Sequence, residues 1–229
     1  MPAWSEDFVA KYLGGQLPVR PKTSRAVVGF CGYAPPSIRA PFALHQRLQC
    51  VLSHGKRFIR HWGRPPKRNA SFRTVALQAL AASPKIDTDF VIRDHFWGGC
   101  LLSAGKVDVA RMQVVRQEYV WNMIGSDYVL CARGGGNFSY RLYETLSCGR
   151  VPVFVDTDCV LPLHSEINWK QYCVWVDERD VDQIADKVAG FHESLSGQEF
   201  VDLQRECRKL WEDRLSPEGF FANLHKHFR

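Results

Sequence analysis

Residues 128–155 read YVLCARGGGNFSYRLYETLSCGRVPVFV, and this stretch decides the fold. A short continuous apolar run (128–132) ends in a glycine-rich turn. A run with helical spacing follows (139–148), closed by Gly149, and a second apolar run begins at once (151–155). Strands covered on both faces are apolar throughout rather than alternating, so the stretch predicts a strand–helix–strand unit of a parallel sheet. Gly149 falls at the position after a helix where a left-handed residue is needed.

Working outward, VVGFC (27–31), DFVIR (89–93) and YCVWV (172–176) read as further strands. Helices are expected over 42–53, over 71–83 with Ser71 as N-cap, and over 108–125. In the last of these Met112, Val115, Tyr119 and Met123 share one face. The basic loop near 55–69 has room for a short strand at 57–62. Ser196 and Glu199 form a capping box that opens a late helix, and Pro217 starts the last one. Strands alternating with helices predict an α/β fold: a doubly wound, mostly parallel Rossmann-like sheet of five or six strands, helices on both faces. Residues 1–25 read as an entry segment ending in a linker, since 16–25 (QLPVRPKTSR) has two prolines and no periodicity. Residues 26–206 read as the Rossmann-like domain and 207–229 as C-terminal helices.

The chain has 229 residues, 45% hydrophobic and 24% charged, enough for a core without disulfides or metal. No apolar run is long enough to span a membrane, and the N-terminus lacks the pattern of a signal peptide. The eight cysteines form no CxxC pair and no zinc-like spacing. Several fall inside apolar runs, which predicts buried free thiols in a reducing compartment, the cytoplasm. The net charge of +6 is segregated: between Phe8 and Ile86 there are 14 Lys and Arg and no acid. Such a segment is either a solvated face or a neighbour of anions such as phosphates, acidic glycans or a membrane surface. No helix-turn-helix, RNP or zinc-finger signature accompanies the charge, so nucleic acid is not an expected partner.

Ligands of open α/β sheets bind at the carboxyl ends of strands, where the loop 133–137 lies. Gly134, Gly135 and Gly136 leave backbone N–H groups bare, and the following helix N-terminus adds more, with a partial positive charge. Arg133 and Arg141 can neutralise a diphosphate, Asn137 completes the loop, and Ser139 can cap the helix or donate to a phosphate oxygen. Glu144 can accept the paired hydroxyls of a ribose. Together these eight residues suit a nucleotide. No Walker loop is present. The spacing Gly134, Gly136, Ser139, with Asp156 at the end of the next strand, leaves an NAD site open. Asp156 and Asp158 resemble a metal-binding Asp-x-Asp, although an acidic turn at a strand end accounts for them more simply.

The same run resembles the exostosin family, glycosyltransferase family 47. Cys131, Arg133-Gly134, Ser139, Arg141, Glu144, Gly149, Pro152-Val153 and Leu161-Pro162 carry the resemblance in order and spacing, with Ala132 in place of the usual proline. It extends roughly from Val27 to the end. The resemblance implies the C-terminal, donor-binding half of a GT-B glycosyltransferase. It implies a UDP-sugar donor, transfer with inversion to a glycan or lipid-linked acceptor in polysaccharide or lipopolysaccharide synthesis, and no metal or other cofactor. Association with the inner membrane surface fits the basic segment 56–73. The acceptor site and catalytic base are implied to belong to a preceding half, so the base stays unassigned here, His95 being the one candidate. A non-catalytic nucleotide-sugar-binding module is the alternative of another class.

Overall fold

The computed structural model describes residues 2–34, 69–100, 107–134 and 136–224. The expected helix at 42–53, the strand at 57–62, Cys50 and Gly135 lie outside these residues. Five strands form one sheet: β1 (Val27–Tyr33), β2 (Asp87–Arg93), β3 (Tyr128–Cys131), β4 (Val151–Asp156) and β5 (Val174–Asp177). Their order is β2-β1-β3-β4-β5, and every pairing is parallel. The expected doubly wound α/β fold is therefore present. Tyr128–Cys131 and Val151–Val155 are buried at every position, because both sheet faces are covered.

Helices α1 (Phe8–Tyr12), α2 (Asn69–Ala81), α3 (Val109–Gly125), α4 (Tyr140–Ser147), α5 (Ile184–Ser194), α6 (Gly197–Leu210) and α7 (Pro217–Leu224) surround the sheet. The chain runs from β1 through α2 to β2, returns through α3 to β3, and proceeds the other way through α4 to β4. Right-handed crossovers then place α2 on one face and α3 and α4 on the other. Asp108 caps α3 by accepting from the Arg111 N–H at 3.0 Å. The capping box of α6 forms as expected, and Gly149 takes φ 61°. Three expectations shift. Helix α2 starts at Asn69, so Ser71 lies in its first turn rather than at its cap. Strand β5 starts at Val174, because Trp169–Gln171 forms a 3-10 turn ahead of it. Helix α5 was not anticipated: its buried stripe contains two alanines and His192 beside Ile184 and Val188, a weak apolar signal.

The first 25 residues are bound into the domain, which their reading as an entry segment and linker does not anticipate. Phe8 and Val9 are buried, and Phe8 meets Tyr119 edge-on. Asp7 makes a two-pronged pair with Arg208 of α6 (2.8 and 2.9 Å). Arg20 donates to the buried Asp127 at 2.9 Å, and the Pro18 carbonyl accepts from Arg150 at 2.7 Å. Arg150 is fully buried and also donates to the carbonyls of Ile124, Cys148 and Gly149. It thus neutralises the carbonyl ends of α3 and α4 together. The boundary drawn at 206/207 falls inside α6, which continues to Leu210.

The described cysteines are all free, and all but the half-buried Cys159 are buried. Burial pushes the Cys131 and Cys148 thiols up to about 12, so these groups pack as small apolar side chains.

Partial burial works against the charge on Asp7, but its bonds from Arg208 prevail and hold the carboxyl below its usual range. A depressed carboxyl stabilises the fold above its unfolded pKa of about 3.9 and loses that contribution as pH falls through the folded value. Asp7→Asn keeps a competent helix cap and removes only the charge pair. It should cost about 1 kcal/mol at neutral pH, the pair being partly exposed. Urea midpoints for the two proteins should converge as the pH falls from the unfolded value through the lowered folded one.

Candidate functional site

Strands β1 and β3 pair only at Val28–Tyr128 and Gly29–Val129. Beyond these residues they part, as strands do where the winding direction reverses, and this switch point is where open α/β sheets bind ligands. A cavity of about 390 Å³ opens there. It is lined by Cys31, Gly32 and Tyr33 from the end of β1 and by Ala132 and Gly134 after β3. The first turn of α4, the inner face of α3 and the turn after β2 complete it.

Its polar wall is a connected set of side chains. Arg141 donates to the carbonyls of Cys31 (2.8 Å) and Leu130 (3.4 Å), one on each diverging strand, and stacks over Phe30. Its Nε donates to the Tyr119 hydroxyl at 3.2 Å. Tyr119 in turn donates to Glu144 Oε2 at 2.5 Å. Burial, reinforced by the Glu144 charge, pushes the Tyr119 phenol well above its usual range, so it remains a donor. The other Glu144 oxygen accepts from Arg116 at 3.0 Å, and Arg116 also reaches Glu6 at 3.3 Å. Glu144 lines the cavity, and each of its oxygens retains a second lone pair.

Arg73 differs from its neighbours. Among the described residues its guanidinium donates only to backbone carbonyls, those of Tyr33 (3.3 Å) and Arg133 (3.1 Å), which again belong to the two sides of the switch point. Its Nε atom is buried and has no partner among them. Burial, with the nearby charge of Arg141, lowers its pKa to about 10. A cation so far withdrawn from water without a carboxylate beside it is costly, and an anion in the cavity would relieve it.

The residues singled out in the sequence divide. Gly134, Gly136, Ser139, Arg141 and Glu144 line the cavity. Arg133 and Asn137 do not. Arg133 is buried against Phe72 and donates to Asn137 Oδ1 at 3.0 Å. The Asn137 amide accepts from Thr157 as well and donates to the Asp158 carbonyl, tying the loop to the end of β4. Ser139 holds the N-cap position without a side-chain capping bond, so the expected cap is absent. The Gly134 N–H donates back to the Phe138 carbonyl at 3.3 Å and is used inside the loop. Neither Gly134 nor Gly136 has a left-handed backbone. Gly136 is bare because an added Cβ would fall 2.6 Å from the Phe138 ring, and at 134 the missing side chain keeps the approach to Arg73 open, an added Cβ lying 3.7 Å from its guanidinium.

Asp156 Oδ1 accepts from the N–H groups of Asp158 and Cys159, a local acidic turn. His95 is exposed in the turn after β2 and does not line the cavity. The residues that sequence reasoning missed are Arg73, Arg93, Arg116 and Tyr119. Arg93 ends β2 and was open to the strand-end rule. Tyr119 was expected on the apolar face of its helix but not at the site, and Arg73 and Arg116 come from helices whose approach to the loop shows only in three dimensions.

A model of the Exostosin GT47 domain matches residues 61–189, more than half of the chain. Exostosin-1 of Drosophila melanogaster is 32% identical over 125 residues, which cover 55% of this chain and 15% of that protein. Probable glucuronosyltransferase GUT1 of Oryza sativa subsp. japonica is 37% identical over 68 residues, covering 30% of this chain and 16% of its own length. Probable beta-1,4-xylosyltransferase IRX10L of Arabidopsis thaliana is 38% identical over 63 residues, 28% of this chain and 15% of that protein. The matched part is thus a small share of each relative's length. No helix among the described residues is long and apolar enough to cross a membrane. On the domain match and on the glycine loop, helix and strands that carry it, the chain belongs to the exostosin GT47 family.

Proposed function

We propose that the cavity between β1 and β3 binds the diphosphate of a nucleotide-sugar, UDP-linked, and that the chain serves as the donor-binding half of a glycosyltransferase. The observation that carries this reading is Arg73: a part-buried guanidinium at the switch point, short of a counter-charge and bonded, among the described residues, only to carbonyls. A diphosphate beside it would supply two anionic groups and the missing acceptors. Gly136 and Ser139 would present the loop and first-turn donors, Gly134 would leave the approach to Arg73 open, and Arg141 would set the depth of the floor. Glu144, its charge fixed by Arg116 and Tyr119, would accept the ribose hydroxyls. Arg133 and Asn137 would act on the donor indirectly, by holding the loop.

In transfer, the sugar–phosphate bond breaks as the acceptor hydroxyl attacks the anomeric carbon, and the leaving diphosphate carries the developing charge. Arginines aimed at that charge are the stabilisation the step needs, so this reading requires no metal. The acceptor is a glycan or lipid-linked saccharide in polysaccharide or lipopolysaccharide synthesis. The names of the relatives, probable glucuronosyltransferase and probable beta-1,4-xylosyltransferase, support a sugar-transfer role.

Calorimetric titration of UDP, pyrophosphate and NAD tests the proposal. UDP should bind and NAD should not; binding of NAD alone would overturn it. Arg73→Ala should weaken UDP and pyrophosphate alike by about 1.5–3 kcal/mol, the range for hydrogen bonds to charged groups. Glu144→Gln should reduce affinity for UDP far more than for pyrophosphate. Equal losses for the two ligands would remove the ribose from the role of Glu144.

A further inference from the structure

The cavity is polar at its floor and aromatic at its mouth. On the side away from the glycine loop, Tyr33 ends β1, and Phe96 and Trp97 follow β2. Phe96 and Trp97 are 63% and 61% exposed, and the Phe96 ring lies 4.6 Å from that of Tyr33. Large aromatics exposed beside one another are uncommon without a partner to cover them.

Trp97 is also held in place at a cost. It has φ 57° and ψ 25°, left-handed values that a bulky residue rarely adopts, and Gly98 follows in the same region. Such outliers persist where the surroundings fix them, and they gather at binding sites. The surroundings here are α3. An added Cβ at Gly98 would fall 2.8 Å from Val115, and Arg111 donates to the Gly98 carbonyl at 3.2 Å. The Gly98 N–H bonds the His95 carbonyl and the Cys100 N–H bonds that of Trp97. The turn is therefore braced with the indole ring facing solvent.

We propose that Phe96 and Trp97 form a stacking platform for a pyranose ring of the acceptor saccharide, contributed by this domain itself. The inference rests on the donor reading of the cavity floor. A pyranose is amphiphilic: one face carries C–H groups that lie against an aromatic ring, while its hydroxyls need polar partners. An aromatic lip with Arg93 of the cavity lining beside it offers both, without drawing on the Arg73, Arg141 and Glu144 that serve the donor. An apolar peptide would make no use of that polar edge. A nucleobase on the lip would lie across the switch point from the glycine loop and α4, where the diphosphate and ribose are assigned. A platform already rigid in the free protein also lowers the ordering cost of binding.

Titration of xylotetraose and tetragalacturonate, with and without saturating UDP, tests this on the wild type, Phe96→Ala, Trp97→Ala and Trp97→Phe. Both side chains are exposed, so the variants should fold, and circular dichroism melts would verify it. The wild type should bind at least one tetrasaccharide at millimolar strength. Trp97→Ala should weaken it about tenfold and Phe96→Ala several-fold, while Trp97→Phe keeps most of the affinity and UDP affinity stays within about twofold in all three. Ring protons of the saccharide should receive saturation from aromatic protons in the wild type and lose it in Trp97→Ala. No binding of either saccharide at about 10 mM, or equal binding by Trp97→Ala, overturns the platform. A matching loss of UDP affinity also overturns it, by assigning the lip to the donor. Saccharide binding that depends on Trp97 in a protein that never binds UDP would uphold the platform and overturn the donor reading alone.

Discussion

The separation of β1 from β3 is the constraint on which the site depends. Two residue pairs join these strands before the winding reverses, and past that point the backbone leaves the ladder with carbonyls that need donors. Arg141 answers for Cys31 and Leu130, and Arg73 for Tyr33 and Arg133. The crevice is therefore held open by guanidinium groups bonded to main chain. Bonds to carbonyls hold the cations in place without cancelling their charge. A cleft built this way has a fixed positive potential, which is what an anionic ligand requires.

The remaining charge is balanced with care. Glu6, Arg116, Glu144, Tyr119 and Arg141 form one chain of hydrogen bonds that runs from the N-terminal segment to the floor of the cavity. In a low dielectric each bond polarises the next, and a missing member leaves a neighbour unpaired. The first helix is accordingly part of the site's support. Phe8 lies under the Arg116 guanidinium at 4.5 Å, and Asp7, one residue earlier, anchors the segment to α6. The basic bias of the first third has a similar structural use among the described residues. Lys11, Arg20, Arg25 and Lys85 pair with Glu6, Asp127, Asp87 and Asp186. Arg73 is the member of that group that turns to the cavity.

Much of the fold was legible because it is written locally. Continuous apolar runs marked the buried strands, and Gly149, the Ser196–Glu199 box and Pro217 marked helix ends by backbone rules that need no tertiary context. What was missed is non-local. Helix α1 is five residues long and is stabilised by Arg208, some two hundred residues away, so no window of sequence contains its cause. At the site, the glycine loop announced where a ligand would lie, and Arg141, Ser139 and Glu144 followed from their spacing in α4. Arg133 misled because adjacency to the glycines does not fix direction. Two residues past the end of β3, its side chain packs against Phe72 and away from the cavity, where it braces Asn137. Arg73 lies 60 residues ahead of Arg133, Arg116 lies on the helix that precedes β3, and only the sheet order and helix packing bring them to the loop.

Backbone amide exchange, followed with and without UDP, tests the central claim most directly. The account predicts slower exchange at the end of β1 (31–34) and through the loop and first turn of α4 (132–142), with the turn at 156–159 unchanged. Protection centred on 156–159, or none along the β1–β3 crevice, would contradict it.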